Sequence, residues 1–468
     1  MRRSVAIFAI AALLGGCPRP RQTTARPPTP PCPAEVPAPP TLPHHAPVHD
    51  LAGFWLQQVD EPDALLLDAQ RIAEHNRGVR EQRHEGLPSG RWGLETLPVD
   101  WPRVEGALAD DIQKLRQAVT EGKRVRLDGA RPGALLERIA AEVAATKPAG
   151  ELRAVHRSAP LRCYPTDEGL YEKGWEEAFD LAQCAQLRPG EPVRVLGKGK
   201  AFWYVWSSYA RGWVRPGALT PPLEGEQARR FLAPARFVVV IVNRLALWAD
   251  RDGQGLLSMV RLGARLPLEE APESGPLRVT VPTPSGLTSA WIRDRAGVRE
   301  GYLPLTRRNV LELAFGLLDS PYGWGGLGGH RDCSRFMMDL FAVFGVELPR
   351  NSWNQSQAGT DHVEVQDLDE GAKREAIQKA AGRGVVLLYL PGHIMLYLGR
   401  DDDRLHALHQ FSGYLTPCRG AQAARPQRGK TETMVRVNRA AVTSLELGRG
   451  TSRTAFIERI TRLVLLGG

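Results

Sequence analysis

The chain has 468 residues, with 61 Lys plus Arg against 52 Asp plus Glu, for a net charge of +9. Its hydrophobic content of 43% supports packed cores and excludes a disordered chain, and at ~100–200 residues per domain the length predicts about three domains. No apolar run reaches the ~18 residues of a membrane span, six cysteines are too few for a disulfide scaffold, and the modest excess of base does not point to nucleic acid.

The N-terminus reads as an export signal. Arg2 and Arg3 precede a ten-residue apolar stretch, Val5 to Leu14, too short to cross a bilayer. It ends in Leu14-Gly15-Gly16-Cys17, which resembles the bacterial lipobox. That resemblance implies a signal peptide over 1–16 and acylation of Cys17, which would hold the protein at a membrane surface. Pro18 stands where an Asp would resemble an inner-membrane retention signal, so the periplasmic face of the outer membrane is expected. Residues 17–49 follow as a tether. From Pro18 to Pro47, 12 of 30 residues are proline, a composition for extended polyproline II with a reach of about 90 Å. Cys32, His44, His45 and His49 have spacings that match no metal site.

Residues 50–150 read as mainly helical, with apolar residues at helical spacing over Ala64 to Asn76 and Val104 to Val119. They are either a small domain or a wrap around other parts. From 151 to 222, short β-rich runs alternate with turn signals: Val193 to Leu196, Phe202 to Trp206 and Gly212 to Val214 predict a small antiparallel barrel. Residues 223–304 repeat the theme through Phe237 to Val242, Leu277 to Val281 and Gly301 to Pro304. Cys163 and Cys184 fall in the first barrel and could pair in an oxidising compartment. Cys32 and Cys418 receive no role.

Chemistry concentrates after Leu311. Leu311 to Leu318 reads as a helix, then comes the glycine-rich loop from Ser320 to Gly329, then Asp332-Cys333-Ser334 opening a second helix. Phe336, Met337, Leu340 and Phe341 give that helix its apolar face, and Asp332 is a natural N-cap. A helix N-terminus favours thiolate, which predicts a lowered pKa for Cys333. Val385 to Leu390, His393 to Gly399 and Leu405 to Phe411 read as three strands, so a histidine of the third can support His393 as general base. His406 and His409 have opposite parity. His409 shares its face with Leu405, Ala407 and Phe411 and is favoured over His406. On the residues alone, Cys333 could equally be packing and His393 a core residue. The charged stretch from Thr360 to Gly384 is either a cap over the site or a surface helix.

Pro321-Tyr322-Gly323-Trp324-Gly325-Gly326, Asp332-Cys333-Ser334, Leu348-Pro349-Arg350, Gly392-His393-Ile394 and Leu408-His409 resemble, in order and separation, the NlpC-type cell-wall peptidases. The resemblance implies an α+β fold: a papain-like catalytic domain at 305–468, preceded by two small SH3-like β-barrels (151–222 and 223–304) and the helical region. It further implies hydrolysis of peptidoglycan stem peptides or muropeptides at the bond between γ-D-glutamate and diaminopimelate, through a Cys–His–His triad of Cys333, His393 and His409. Tyr322, Asp332 and Ser334 would bind substrate, Asp332 and Ser334 at positions that hold a free amine in relatives. No metal or cofactor is called for. Arg335 replaces a glycine common in the family, and a cation there would narrow the cleft or meet a substrate carboxylate. The readings that compete are a catalytically silent murein-binding lipoprotein and another Cys–His amidase or acyltransferase.

Overall fold

The computed structural model describes residues 32–81, 100–126, 132–172, 179–418, 428–429 and 431–468. The expected signal peptide, Cys17 and the first half of the proline-rich tract lie outside them. The rest is a mixed α+β chain built on three sheets, two of seven strands and one of six, with one further short strand pair.

The sheet of the expected catalytic domain, called the catalytic sheet below, is antiparallel except at one edge. Its strand order is Glu35–Pro37, Glu432–Ser444, Arg404–Pro417, His393–Asp401, Gly384–Leu390, Arg462–Gly467 and Asp361–Glu364. Every residue of Gly384–Leu390 is buried, as suits a central strand covered on both faces. Helix Cys333–Ala342 packs on one face through Phe336, Met337, Leu340 and Phe341. Helix Glu370–Arg383 lies on the other, burying Ile377 and Ala380 among Val386, Leu388 and Leu463. The stretch from Thr360 to Gly384 thus holds an edge strand and a packed helix.

The expected tether to residue 49 is shorter. From Cys32 the chain is fixed to the catalytic sheet, because Glu35–Pro37 adds a parallel edge strand to Glu432–Ser444 and Cys32 is disulfide-bonded to Cys418 with Cα atoms 5.8 Å apart. The chain then runs along the face of the sheet that the Cys333 helix also covers. Trp55 is fully buried, its indole N–H donates to the His49 carbonyl at 2.9 Å, and its ring lies against Gly399. A side chain at position 399 would strike Trp55 and Gln58.

The helices of residues 50–150 serve two different cores. Ala52–Leu56 and Ala69–Glu81 place Trp55, Leu56 and Val79 in the core around the Cys333 helix. Trp101–Thr120 and Gly133–Ala144 instead cover the first small sheet, with Leu108 packed on Leu196, Phe202, Tyr204 and Trp213.

Neither small sheet closes into the barrel expected from the alternation of strands and turns. The first runs Lys147–Ala154, Pro192–Lys198, Trp203–Ser207, Arg211–Val214, Ala159–Arg162, Gln183–Leu187. The second runs from Leu256–Arg261 to Val298–Glu300. Period-2 patterning reports a buried face but says nothing about edge pairing. In the first sheet the edge strand Gln183–Leu187 is instead taken up by the catalytic domain. Gly325 (φ +61°) and Gly326 (φ +83°) of the glycine-rich loop press on Gln183 and Gln186, so closely that an added Cβ would lie 2.6 and 2.8 Å from their side chains. The glycines are explained by this contact as well as by their backbone angles. Cys163 and Cys184 are bonded, with Cα atoms 5.1 Å apart.

Candidate active site

Asp332 caps the helix that begins at Cys333 by accepting the Arg335 N–H at 2.8 Å. The thiol is buried and sits where two backbone N–H groups, of Ser334 and Ile394, favour its ionised form. Ile394 is the neighbour of His393, so the helix start and the strand His393–Asp401 meet at the thiol. Pro391 and Gly392 make the sharp turn before His393, with Gly392 at φ +82°.

His393 and His409 share a face of the sheet. The His393 Nε2 and His409 Nδ1 atoms are 2.7 Å apart, and His409 Nε2 is 2.9 Å from Thr443 Oγ1. One tautomer satisfies the whole chain. With His393 protonated on Nε2, that N–H donates to His409, whose Nε2–H donates onward to Thr443, and the lone pair at His393 Nδ1 is left available as a base. Phe411 stacks on His409 at 4.2 Å between ring centroids, and Phe456 lies beside both imidazoles. His406 is turned to the other side of the sheet. It packs 4.6 Å from the His49 ring and 5.3 Å from Trp55, with its Nε2 3.3 Å from the His44 carbonyl.

Asp332, Ser334 and Arg350 form a closed group. Arg350 donates to both carboxylate oxygens of Asp332, at 3.1 and 2.7 Å, and to Ser334 Oγ at 2.9 Å, while the Ser334 hydroxyl donates to Asp332 at 3.1 Å. This pairing outweighs burial and holds the Asp332 carboxyl below its ordinary range. Arg350 was legible only as part of a resembling motif. Its reason is this bidentate contact, made 18 residues along the chain. Thr443 carried no sequence signal at all, since its role needs the pairing of the strand Glu432–Ser444 with Arg404–Pro417.

Tyr322 lies half-buried on the glycine-rich loop. Its backbone N–H donates to Asn438 at 2.9 Å, and its ring faces Phe179 of the first small-sheet region. Trp324 donates to the Asp180 carbonyl at 2.9 Å, so this region forms one side of the loop that leads to Cys333. Arg335 turns away from the thiol. It pairs with Asp339 at 2.7 Å and Glu191 at 2.9 Å, and its guanidinium covers the Tyr209 ring. The cation expected to narrow the cleft anchors the first small sheet instead.

The thiol departs from the expected direction. Burial, with the Asp332 carboxylate second, pushes Cys333 up to about 12, against the pull of the two backbone N–H groups. Burial, with Arg459 second, lowers His393 to about 3. The resting pair is therefore neutral thiol and neutral imidazole. Carboxamidomethylation of Cys333 by iodoacetamide, followed on its peptide by mass spectrometry, should be slow at pH 7 and rise about tenfold per pH unit through pH 9. A rate already level below pH 8 would instead reveal a preformed thiolate–imidazolium pair.

A thiol at a helix start, met by the strand that carries one histidine of a hydrogen-bonded pair, is an arrangement of the kind that nucleophilic acyl transfer uses. Residues 319–416 match the model of the NlpC/P60 family, and the C-terminal domain is an NlpC/P60 family domain. Over 99 residues, 20% of this chain, the sequence is 31% identical to the γ-D-glutamyl-L-lysine dipeptidyl-peptidase of Bacillus subtilis (strain 168), and the match spans 30% of that protein. A solved NlpC/P60 endopeptidase from Photobacterium damselae subsp. piscicida shares the fold over 88% of this chain and 96% of its own, at 16% identity and a TM-score of 0.66. An NlpC/P60 family protein from Bacillus cereus ATCC 10987 covers 67% of this chain and 98% of its own, at 16% identity and a TM-score of 0.44.

Proposed function

We propose that the protein is a cysteine peptidase of peptidoglycan stem peptides, cutting the bond between γ-D-glutamate and diaminopimelate. The observation that carries this reading is the His393–His409 pair, its Nε2 and Nδ1 atoms 2.7 Å apart, with His393 on the strand whose Ile394 N–H meets the Cys333 thiol inside the segment that matches the family. The B. subtilis relative is named for a γ-D-glutamyl-L-lysine substrate, which supports the γ-glutamyl side of the bond.

In this mechanism His393 Nδ1 takes the Cys333 proton as sulfur attacks the amide carbonyl, and backbone N–H groups at the helix start hold the oxyanion. The imidazolium gives its proton to the leaving amine, and water, deprotonated by the same nitrogen, hydrolyses the thioester. Because His393 lies far below neutral pH, the base is in its working form throughout the ordinary pH range. His409 orients and polarises His393, with Thr443 behind it. Tyr322 and Ser334 line the substrate path. Asp332 holds the helix start and reads a substrate ammonium only where that group displaces Arg350.

We read the two small sheets as open SH3-like modules, the first of which walls the cleft through its contacts with the glycine-rich loop and restricts it to short peptides. Lipidation at Cys17 would hold the enzyme at the periplasmic face of the outer membrane. The two disulfides fit an oxidising compartment. Defined muropeptides carrying diaminopimelate or lysine, digested and analysed by mass spectrometry, test the assignment. It requires a fragment with a newly exposed diaminopimelate amine. A substrate cut at another bond, or left intact, overturns the specificity.

A further inference from the structure

The Cys333 helix has a second functional face. It carries the thiol to the catalytic strands but presents Arg335, Met338, Asp339 and Ala342 to a cavity of about 990 Å³. Neither Cys333 nor His393 lines that cavity. It lies between the helix, residues 65–79 and parts of both small sheets, and its apolar lining includes Leu67, Ile72, Phe237, Leu262, Tyr302 and Phe344.

Its lining also holds Arg188, Arg261, Arg265 and Arg335 beside Asp68, Glu191, Asp339 and Glu347, the last of them paired with Arg80. Arg188, Arg331 and Arg335 all converge on Asp339, with Arg331 Nε at 2.6 Å and Arg335 Nε at 2.7 Å. Glu191 takes the other end of Arg335 at 2.9 Å and the Tyr209 hydroxyl at 2.6 Å. Arg261, half-buried against Gly329, makes no ion pair among the described residues. Around Asp339 and Glu191 thus stand Arg188, Arg261, Arg331 and Arg335, of which all but Arg331 line the cavity. Arg188 and Arg335 have side chains 9% and 6% exposed, yet Nε and Nη2 of Arg188 and Nη1 of Arg335 find no hydrogen-bond partner among the described residues. Burial and the neighbouring Arg335 push Arg188 down to about 10, and burial and Arg188 do the same to Arg261. Unpaired buried guanidinium N–H groups are costly, and the arginine fork matches carboxylate and phosphate oxygens.

We propose that this cavity binds an amphiphilic oxyanion, with a carboxylate or phosphate head on Arg188 and Arg261 and an apolar body along Leu67, Ile72, Phe237 and Leu262. The site is independent of the peptidase reading and is tested by binding alone. Calorimetric titration of the full chain with sodium dodecanoate and with dodecyl phosphate should show saturable 1:1 binding of at least one. The preferred one identifies the head group. Dodecanol, which lacks the charge, and inorganic phosphate, which lacks the tail, should bind at least about tenfold more weakly. Arg188→Gln and Arg261→Gln should each weaken binding of the preferred probe about tenfold or more. Should Arg188→Gln fail to fold, Arg261→Gln decides, since Arg261 makes no ion pair among the described residues. No saturable binding of either amphiphile overturns the proposal. So does equal binding of dodecanol or inorganic phosphate, or unchanged affinity in Arg261→Gln.

Discussion

Cys333→Ala should lower cleavage of a diaminopimelate-containing muropeptide by about 10⁴-fold or more, with residual turnover at the level of binding and oxyanion stabilisation alone. The size of the effect follows from the site. Cys333 is the one free thiol among the described residues, since the other described cysteines are paired with each other. The neutral His393 can activate a nucleophile but does not itself supply one. Stability should change little, because alanine preserves the helix start and Asp332 keeps its cap to Arg335 and its contacts with Arg350. Initial rates from fragment mass spectrometry, beside a urea unfolding curve, separate the two quantities. A folded Cys333→Ala protein with more than a few per cent of native activity would remove Cys333 from the mechanism. A native protein that binds murein, cuts nothing and shows an unreactive Cys333 even at high pH would favour the silent binder.

What was readable in the sequence is what local periodicity can report. The Cys333 helix was legible because Asp332 and the residues Phe336, Met337, Leu340 and Phe341 state a cap and a face within one short window. Parity on one strand separated His409 from His406, and the structure shows the two rings on opposite sides of the sheet. Which partner lies beyond a face is a non-local fact. The strands Arg462–Gly467 and Glu35–Pro37 enter the catalytic sheet from the two ends of the described chain, and neither has a neighbour in sequence that announces it. The Cys32–Cys418 bond spans 386 residues and became visible only with that edge strand. The thiol departs from the direction its helix position predicts for a related reason. A helix N-terminus is visible in sequence, but the burial that raises the Cys333 pKa comes from its surroundings in the folded structure.

The Asp339 cluster is the largest of these non-local features, and Asp339→Asn should lower stability by about 3–5 kcal/mol. Three guanidiniums, from Arg188, Arg331 and Arg335, bond to this one buried carboxylate. Asparagine keeps the volume but removes the charge, which leaves three cations mutually repelled where water cannot screen them. The cluster also joins separate parts of the chain. Arg188 comes from the first small-sheet region. Asn243, which receives Arg331 at 2.6 Å, belongs to the second, and Gly263 of that region lies so close to the Asp339 carbonyl that a Cβ there would be 2.6 Å from it. Loss of the carboxylate should therefore loosen the docking of the small sheets on the catalytic domain as well as lower the midpoint. The expected signature in urea is a transition that shifts down and splits, the catalytic domain unfolding last. The pH dependence follows from the same ion pairs. The three guanidiniums hold the Asp339 carboxyl far below its ordinary range, so its contribution is present above the unfolded carboxylate pKa and is lost only as pH falls into strong acid. At neutral pH the asparagine protein should thus resemble the native protein under conditions acidic enough to protonate Asp339. A loss under 1 kcal/mol with one unshifted transition would show that the arginines are satisfied elsewhere and that the cluster does not hold these parts together.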